Sequence, residues 1–127
     1  MTADDRFERG LDAYASQFHI PREEVLARFE ELVGERFGVE AIHSSALAWT
    51  DEGLSLRDRS LVVLAALVAQ GGLEGQLRSH TRWAIEHGSS REELEEMATL
   101  LAIYAGFAKA STALMVIRDE LDQLEAG

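Results

Sequence analysis

Apolar residues recur at intervals of three and four along nearly the whole chain, which is the signature of amphipathic helices. Phe7, Leu11, Tyr14 and Phe18 share one face and predict a first helix over residues 4–17. His19-Ile20-Pro21 breaks it, because proline lacks an N–H and restricts the residue before it. Pro21 can open a second helix, with Val25, Phe29, Leu32 and Val33 on its buried side and Gly34 and Gly38 at its end. From Val39 to Gly53 the pattern weakens, and only a short helix is expected. Ser55 with Asp58 three residues on reads as a cap. The run 59–70 after it is apolar on nearly every side, so this helix is expected to be buried all round. Gly71-Gly72 leads into a helix over 73–87. Ser90 with Glu93 caps a further one, carrying Leu94, Met97, Leu100, Leu101 and Tyr104. After Gly106 a last helix over 109–124 turns Ala110, Ala113, Leu114, Ile117 and Leu121 inward. The predicted architecture is an all-α bundle of about six helices.

Length and charge narrow the classes. At 127 residues the chain suits one domain with one core. The absence of cysteine removes disulfides, thiol redox chemistry and cysteine-zinc sites. A net charge of −11 argues against nucleic acid and against anionic membrane surfaces. No apolar run reaches spanning length, and the start Met-Thr-Ala-Asp-Asp-Arg is unlike a signal peptide. A soluble, cytoplasmic protein is expected.

One stretch concentrates chemistry. On a helix over 73–87, Gln76, His80, Trp83 and His87 fall along one stripe, and Leu73, Leu77 and Ala84 along an adjoining apolar one. Gly88 supplies the stop. His87 has an ordinary explanation, since a helix C-terminus stabilises a partly positive imidazole. His80 and His87 lie two turns apart, roughly 10 Å of rise, which is too far for two ligands of one ion. No metal site is expected.

The residues from Trp49 to Leu121 resemble the 4-carboxymuconolactone decarboxylase family, related to the alkylhydroperoxidase-like helical fold. The matching pieces are Trp49 with Gly53-Leu54, Arg57-Asp-Arg-Ser60, Gln76-Leu-Arg-Ser-His80, Gly88 followed by Arg91-Glu-Glu-Leu94, and Tyr104-Ala-Gly106 followed by Ala110. The resemblance implies a homo-oligomer, trimer or hexamer, with pockets between helices and subunits. It also implies cofactor-free decarboxylation of a small carboxylated lactone in aromatic-compound catabolism. His80 matches the family's histidine, and Arg59 and Tyr104 fall on matching positions. The chain departs from the aromatic-degradation enzymes at Gln76, where Glu is frequent. It departs also at Ser45-Ala46, at Asp51 and at Ala108, where those enzymes carry Trp-Gly, Arg and Pro. The redox branch of the fold is excluded: aligned on His80, its two cysteines would stand at Leu73 and Gln76, and neither residue can form a thiolate.

Decarboxylation needs an acceptor for the electron pair left by carbon dioxide, and then a proton on carbon. A lactone carbonyl accepts the electrons if a donor steadies its oxygen. A histidine supplies the proton. His80 is therefore the candidate acid, with Gln76 orienting it or the substrate and Tyr104 donating to the carbonyl. Arg59 and Arg78 are candidates for holding a substrate carboxylate, and Trp83 for walling the site. Structural alternatives stand beside each: Arg59 has Asp58 and Glu52 near it in sequence, Arg78 can lie in solvent, and Trp83 can be packing. Isomerisation or lactone hydrolysis by the same histidine is the second functional reading. A non-catalytic helical oligomer that binds a small ligand is the third.

Overall fold

The computed structural model describes residues 1–127. Seven α-helices and one 3-10 turn follow one another with no strand: α1 Ala3–Phe18, the 3-10 turn Arg22–Glu24, α2 Val25–Val33, α3 Glu35–Thr50, α4 Leu56–Gln70, α5 Glu74–Glu86, α6 Arg91–Ala105 and α7 Phe107–Ala126. Where one core was expected, apolar burial divides into two clusters. They belong to two compact units, Met1–Leu54 and Ser55–Gly127.

The first unit is a three-helix packing of α1, α2 and α3. Thr2 and Asp5 close a reciprocal capping box at the start of α1, satisfying two N–H groups the helix cannot. Val25, Phe29 and Ile42 are its buried centre, with Phe7, Leu11, Tyr14 and Phe18 packed around them. Tyr14 meets Phe29 edge on, 4.8 Å between ring centroids, and its hydroxyl pairs with Ser45 Oγ at 2.7 Å. Gly34 ends α2 with φ +91°, as the pattern indicated. Gly38 does not: it lies inside α3, buried against Phe29. α3 is thus a full helix of 16 residues where only a short one was expected. At Gly10 the backbones of α1 and α3 come together so closely that a Cβ would collide with the Ile42 carbonyl.

The second unit is built from α4, α5, α6 and α7. Leu64, Val68, Leu77, Ala84, Leu94, Ile117 and Leu121 form its core. The predicted caps are present: Ser55 accepts from the Asp58 N–H, and Ser90 with Glu93 forms a capping box. α5 stops where Gly88 was expected to stop it. The Ser89 N–H reaches the Ala84 carbonyl at 2.9 Å and the Gly88 N–H the Ile85 carbonyl at 3.1 Å, a Schellman motif with Gly88 at φ +109°. Two expectations are corrected. Leu73 is not part of the apolar face of α5 but its left-handed N-cap, at φ 56°. α4 is not buried all round, because only its Ser60, Leu64 and Val68 side faces the core and Val62 on the other side is 60 % exposed. No helix is long and apolar enough to cross a membrane.

Candidate functional site

The side chains that bear chemistry gather on α5 and the first turns of α4. His80 is half-buried, and its ring meets Trp83 edge to face, 4.7 Å between centroids. Burial pushes the imidazole down to about 4, and the nearby His87 opposes its positive form further. His80 is therefore a neutral base in the free protein at neutral pH.

His87 is more than a helix-end charge. It occupies the C-cap of α5, and its Nδ1 lies 2.5 Å from the hydroxyl oxygen of Ser60 on α4. Ser60 is fully buried. Burial also lowers the affinity of His87 for a proton, against the opposing pull of Glu86. Sequence reasoning explained His87 as a helix-end imidazole and did not connect it with Ser60. The signal was present, since Ser60 is the one hydroxyl opening an otherwise apolar run and His87 stands seven residues after His80 on the same stripe.

The arginines sort into two kinds. Arg57 pairs with Glu93 and, at 3.3 Å, with Asp58. Arg78 reaches Asp119 at 2.7 Å, Glu120 at 3.3 Å and Glu74 at 3.4 Å, and Arg82 reaches Glu120 at 3.0 Å. These contacts fasten α5 to α7 around the buried Glu120, so the charge of Arg78 is already matched by three carboxylates. Arg59 differs. It is 9 % exposed, yet its guanidinium forms neither an ion pair nor a hydrogen bond within the chain. Asp58, its candidate partner from sequence, is taken by Arg57.

The remaining candidates are not assembled within one chain. Gln76 is exposed on the first turn of α5. Tyr104 is 82 % exposed at the end of α6, where it encloses nothing by itself. Trp83 packs beside His80. Two clefts of about 490 Å³ open on this unit. One lies along Leu61, Met97, Leu100 and Ile103, the other along Gly71, Leu77, Lys109 and Val116. Neither is lined by His80 or His87. No three His, Asp or Glu side chains converge at metal-ligating distance.

His80 thus stands beside Trp83, His87 beside the buried Ser60 hydroxyl, and Arg59 has no counter-ion within the chain. The model of the carboxymuconolactone decarboxylase family matches residues 41–119, more than half of the chain. The chain belongs to that family. The match begins before Trp49, so the carboxymuconolactone decarboxylase region includes most of α3. A 4-carboxymuconolactone decarboxylase from Acinetobacter baylyi is 38 % identical over 73 residues, covering 58 % of this chain and 53 % of that protein. The aligned part thus spans about half the length of this curated relative.

Proposed function

We propose that this member of the carboxymuconolactone decarboxylase family is a carboxy-lyase that removes carbon dioxide from a small carboxylated lactone or related cyclic acid. In this reading it works without a cofactor, in the cytoplasm, within aromatic-compound catabolism. The observation that carries the reading is Arg59, a largely buried side chain whose guanidinium has no protein anion and reaches solvent. Its nitrogens have no partner in the chain and keep contact with solvent, so their N–H donors are open to an anionic substrate.

The direction of charge flow fixes what Arg59 can hold. When the carbon–carboxylate bond breaks, its electron pair runs to the lactone carbonyl and the departing carboxylate loses its charge. A cation on that departing group would stabilise the ground state more than the transition state. Arg59 therefore suits a carboxylate that remains, or the carbonyl oxygen that becomes negative. His80 returns the proton to carbon. Its ring is neutral in the free protein, and an anionic substrate beside it favours the protonated form that the step requires. Overall one carboxylate and one proton become one C–H bond and carbon dioxide.

The pocket is completed in this reading by a second copy, in a trimer or hexamer. Ile103, Tyr104, Phe107 and Met115 are all exposed large apolar side chains, and such a surface is usually an interface. Tyr104 and Gln76 would then act in a site that one chain leaves open.

Carbon dioxide release from 4-carboxymuconolactone, with an uncarboxylated lactone as control, tests the reading. Release by the wild type and its loss in His80→Gln, with helicity and oligomer size unchanged, supports it. Release undiminished in His80→Gln overturns the assigned role, and no release by the wild type discards the substrate.

A further inference from the structure

One of the two clefts on the second unit brings a cation and an apolar lining together. It lies between the segment leading into α5 and the first half of α7, and its volume of about 490 Å³ has room for a small ring compound. Leu77 and Ala113 are its buried lining, with Val116 half-buried beside them. Leu73 adds a large apolar side chain that is 39 % exposed. It is held there by a left-handed backbone that a non-glycine residue adopts only at a conformational cost. Lys109 lines the cleft from α7 and is the chain's single lysine. Its methylenes run past Gly71, where an added Cβ would lie 3.6 Å from Cγ and Cε. Its ammonium donates to the Ala69 carbonyl, 3.2 Å away near the end of α4, and has no other partner in the chain. Two of its three N–H donors are left over. Glu74, the carboxylate on the same rim, is engaged by Arg78 at 3.4 Å. Thr112 stands one turn after Lys109 and lines the cleft as well.

We propose that this cleft is a binding site for a small cyclic monocarboxylate, its ring laid on Leu73, Leu77 and Val116 and its carboxylate taken by the Lys109 ammonium and the Thr112 hydroxyl. The inference does not rest on the lyase reading, since neither Arg59 nor His80 lines the cleft. An exposed ammonium alone holds a carboxylate weakly, and a small ring alone gains little on a half-open apolar surface. Joined in one ligand, the two contributions are gained against a single loss of translational freedom. In a chain of net charge −11, an anion needs a local cation with spare donors. The cleft of equal volume along α6 offers none, because its charged lining is Glu93 and Glu96. The pairing of one cation with an apolar lining thus sets both the place and the class of ligand.

The single lysine makes the test specific to this cleft. Protein grown on carbon-13 lysine carries one labelled residue, and its spectrum reports Lys109 alone. Benzoate should shift the Lys109 Cε–H signals saturably, with half-saturation at about 1 mM. Benzamide keeps the ring and loses the charge, and acetate keeps the charge and loses the ring. Each should need roughly tenfold or more higher concentration for the same shift. Thr112→Asp places a protein carboxylate beside the ammonium and should abolish the benzoate response. Thr112 is exposed, so α7 should remain helical in the variant, as circular dichroism would show. No saturable shift with benzoate, an equal response to benzamide or to acetate, or an undiminished response in folded Thr112→Asp overturns the proposal. Saturable benzoate binding by a protein that releases no carbon dioxide from 4-carboxymuconolactone removes that substrate and leaves this site in place. Carbon dioxide release without a benzoate response removes the site and leaves the lyase reading standing.

Discussion

The Trp83 indole meets the His80 imidazole at 88°, 4.7 Å between ring centroids, so the aromatic ring covers one side of the imidazole. This wall contributes to the burial that keeps His80 neutral, down at about 4. Trp83→Gln admits water beside the ring and should raise its titration midpoint toward the ordinary value near 6.5. Proton NMR of the imidazole Cε1–H across pH 3–8 reads the shift directly. A midpoint unchanged in Trp83→Gln would mean that other neighbours do the burying.

The same depressed midpoint makes stability depend on pH, and its sign follows from proton counting. The unfolded chain takes up a proton on His80 below about 6.5, and the folded chain refuses it until about 4. Stability is therefore full above 6.5 and falls as pH drops through the window between the two values. Complete expression of the shift is worth about 3 kcal/mol, and about 2 kcal/mol for a ring that keeps some solvent contact. His87, also lowered by burial, acts in the same direction. Urea midpoints measured from pH 7.5 to 4 should decline in the wild type and decline less in His80→Gln.

These predictions depend on features that the sequence displayed unevenly. The α5 stripe, its Gly88 stop and the caps at Ser55 and Ser90 were legible, because each rests on short-range spacing or a local backbone requirement. α3 was not, because it buries only Gly38, Ile42 and Ala46, of which Ile42 alone is a large apolar side chain, with His43, Ser44 and Ser45 diluting the pattern. Gly38 read as a terminator, whereas its missing side chain makes room for Phe29. The open side of α4 was equally hidden, since Val62 and Ala66 are apolar whether a partner covers them or not. The Ser60–His87 bond joins residues 27 apart and is set by packing of α4 on α5, which no spacing rule reports.

Arg59→Met should separate stability from function. The substitution replaces a largely buried stem, whose guanidinium reaches solvent and lacks a protein anion, with an apolar chain of comparable length. Thermal unfolding should stay level, within about 0.5 kcal/mol, because the apolar stem is kept and no internal ion pair is lost. KM for a carboxylated lactone should rise by about tenfold or more, since a hydrogen-bonded charge pair with substrate is lost. A variant that is destabilised and binds normally would show that Arg59 supports the fold and not the substrate.

Glu120 carries the opposite expectation. It is 6 % exposed on α7 and receives both Arg78 and Arg82 from α5. Removing it leaves Arg78 and Arg82, one turn apart on α5, without the carboxylate they share, with Asp119 and Glu74 still serving Arg78 alone. Breaking a fully buried pair costs about 3–5 kcal/mol; with both arginines partly in solvent, about 2 kcal/mol is expected for Glu120→Ala. Glu120→Gln, which still accepts a hydrogen bond, should lose less. Chemical denaturation of the two variants at low and high salt gives the answer. A loss that shrinks in salt identifies exposed electrostatics, and a loss that persists identifies the buried carboxylate as the element that seats α5, and with it His80, against α7.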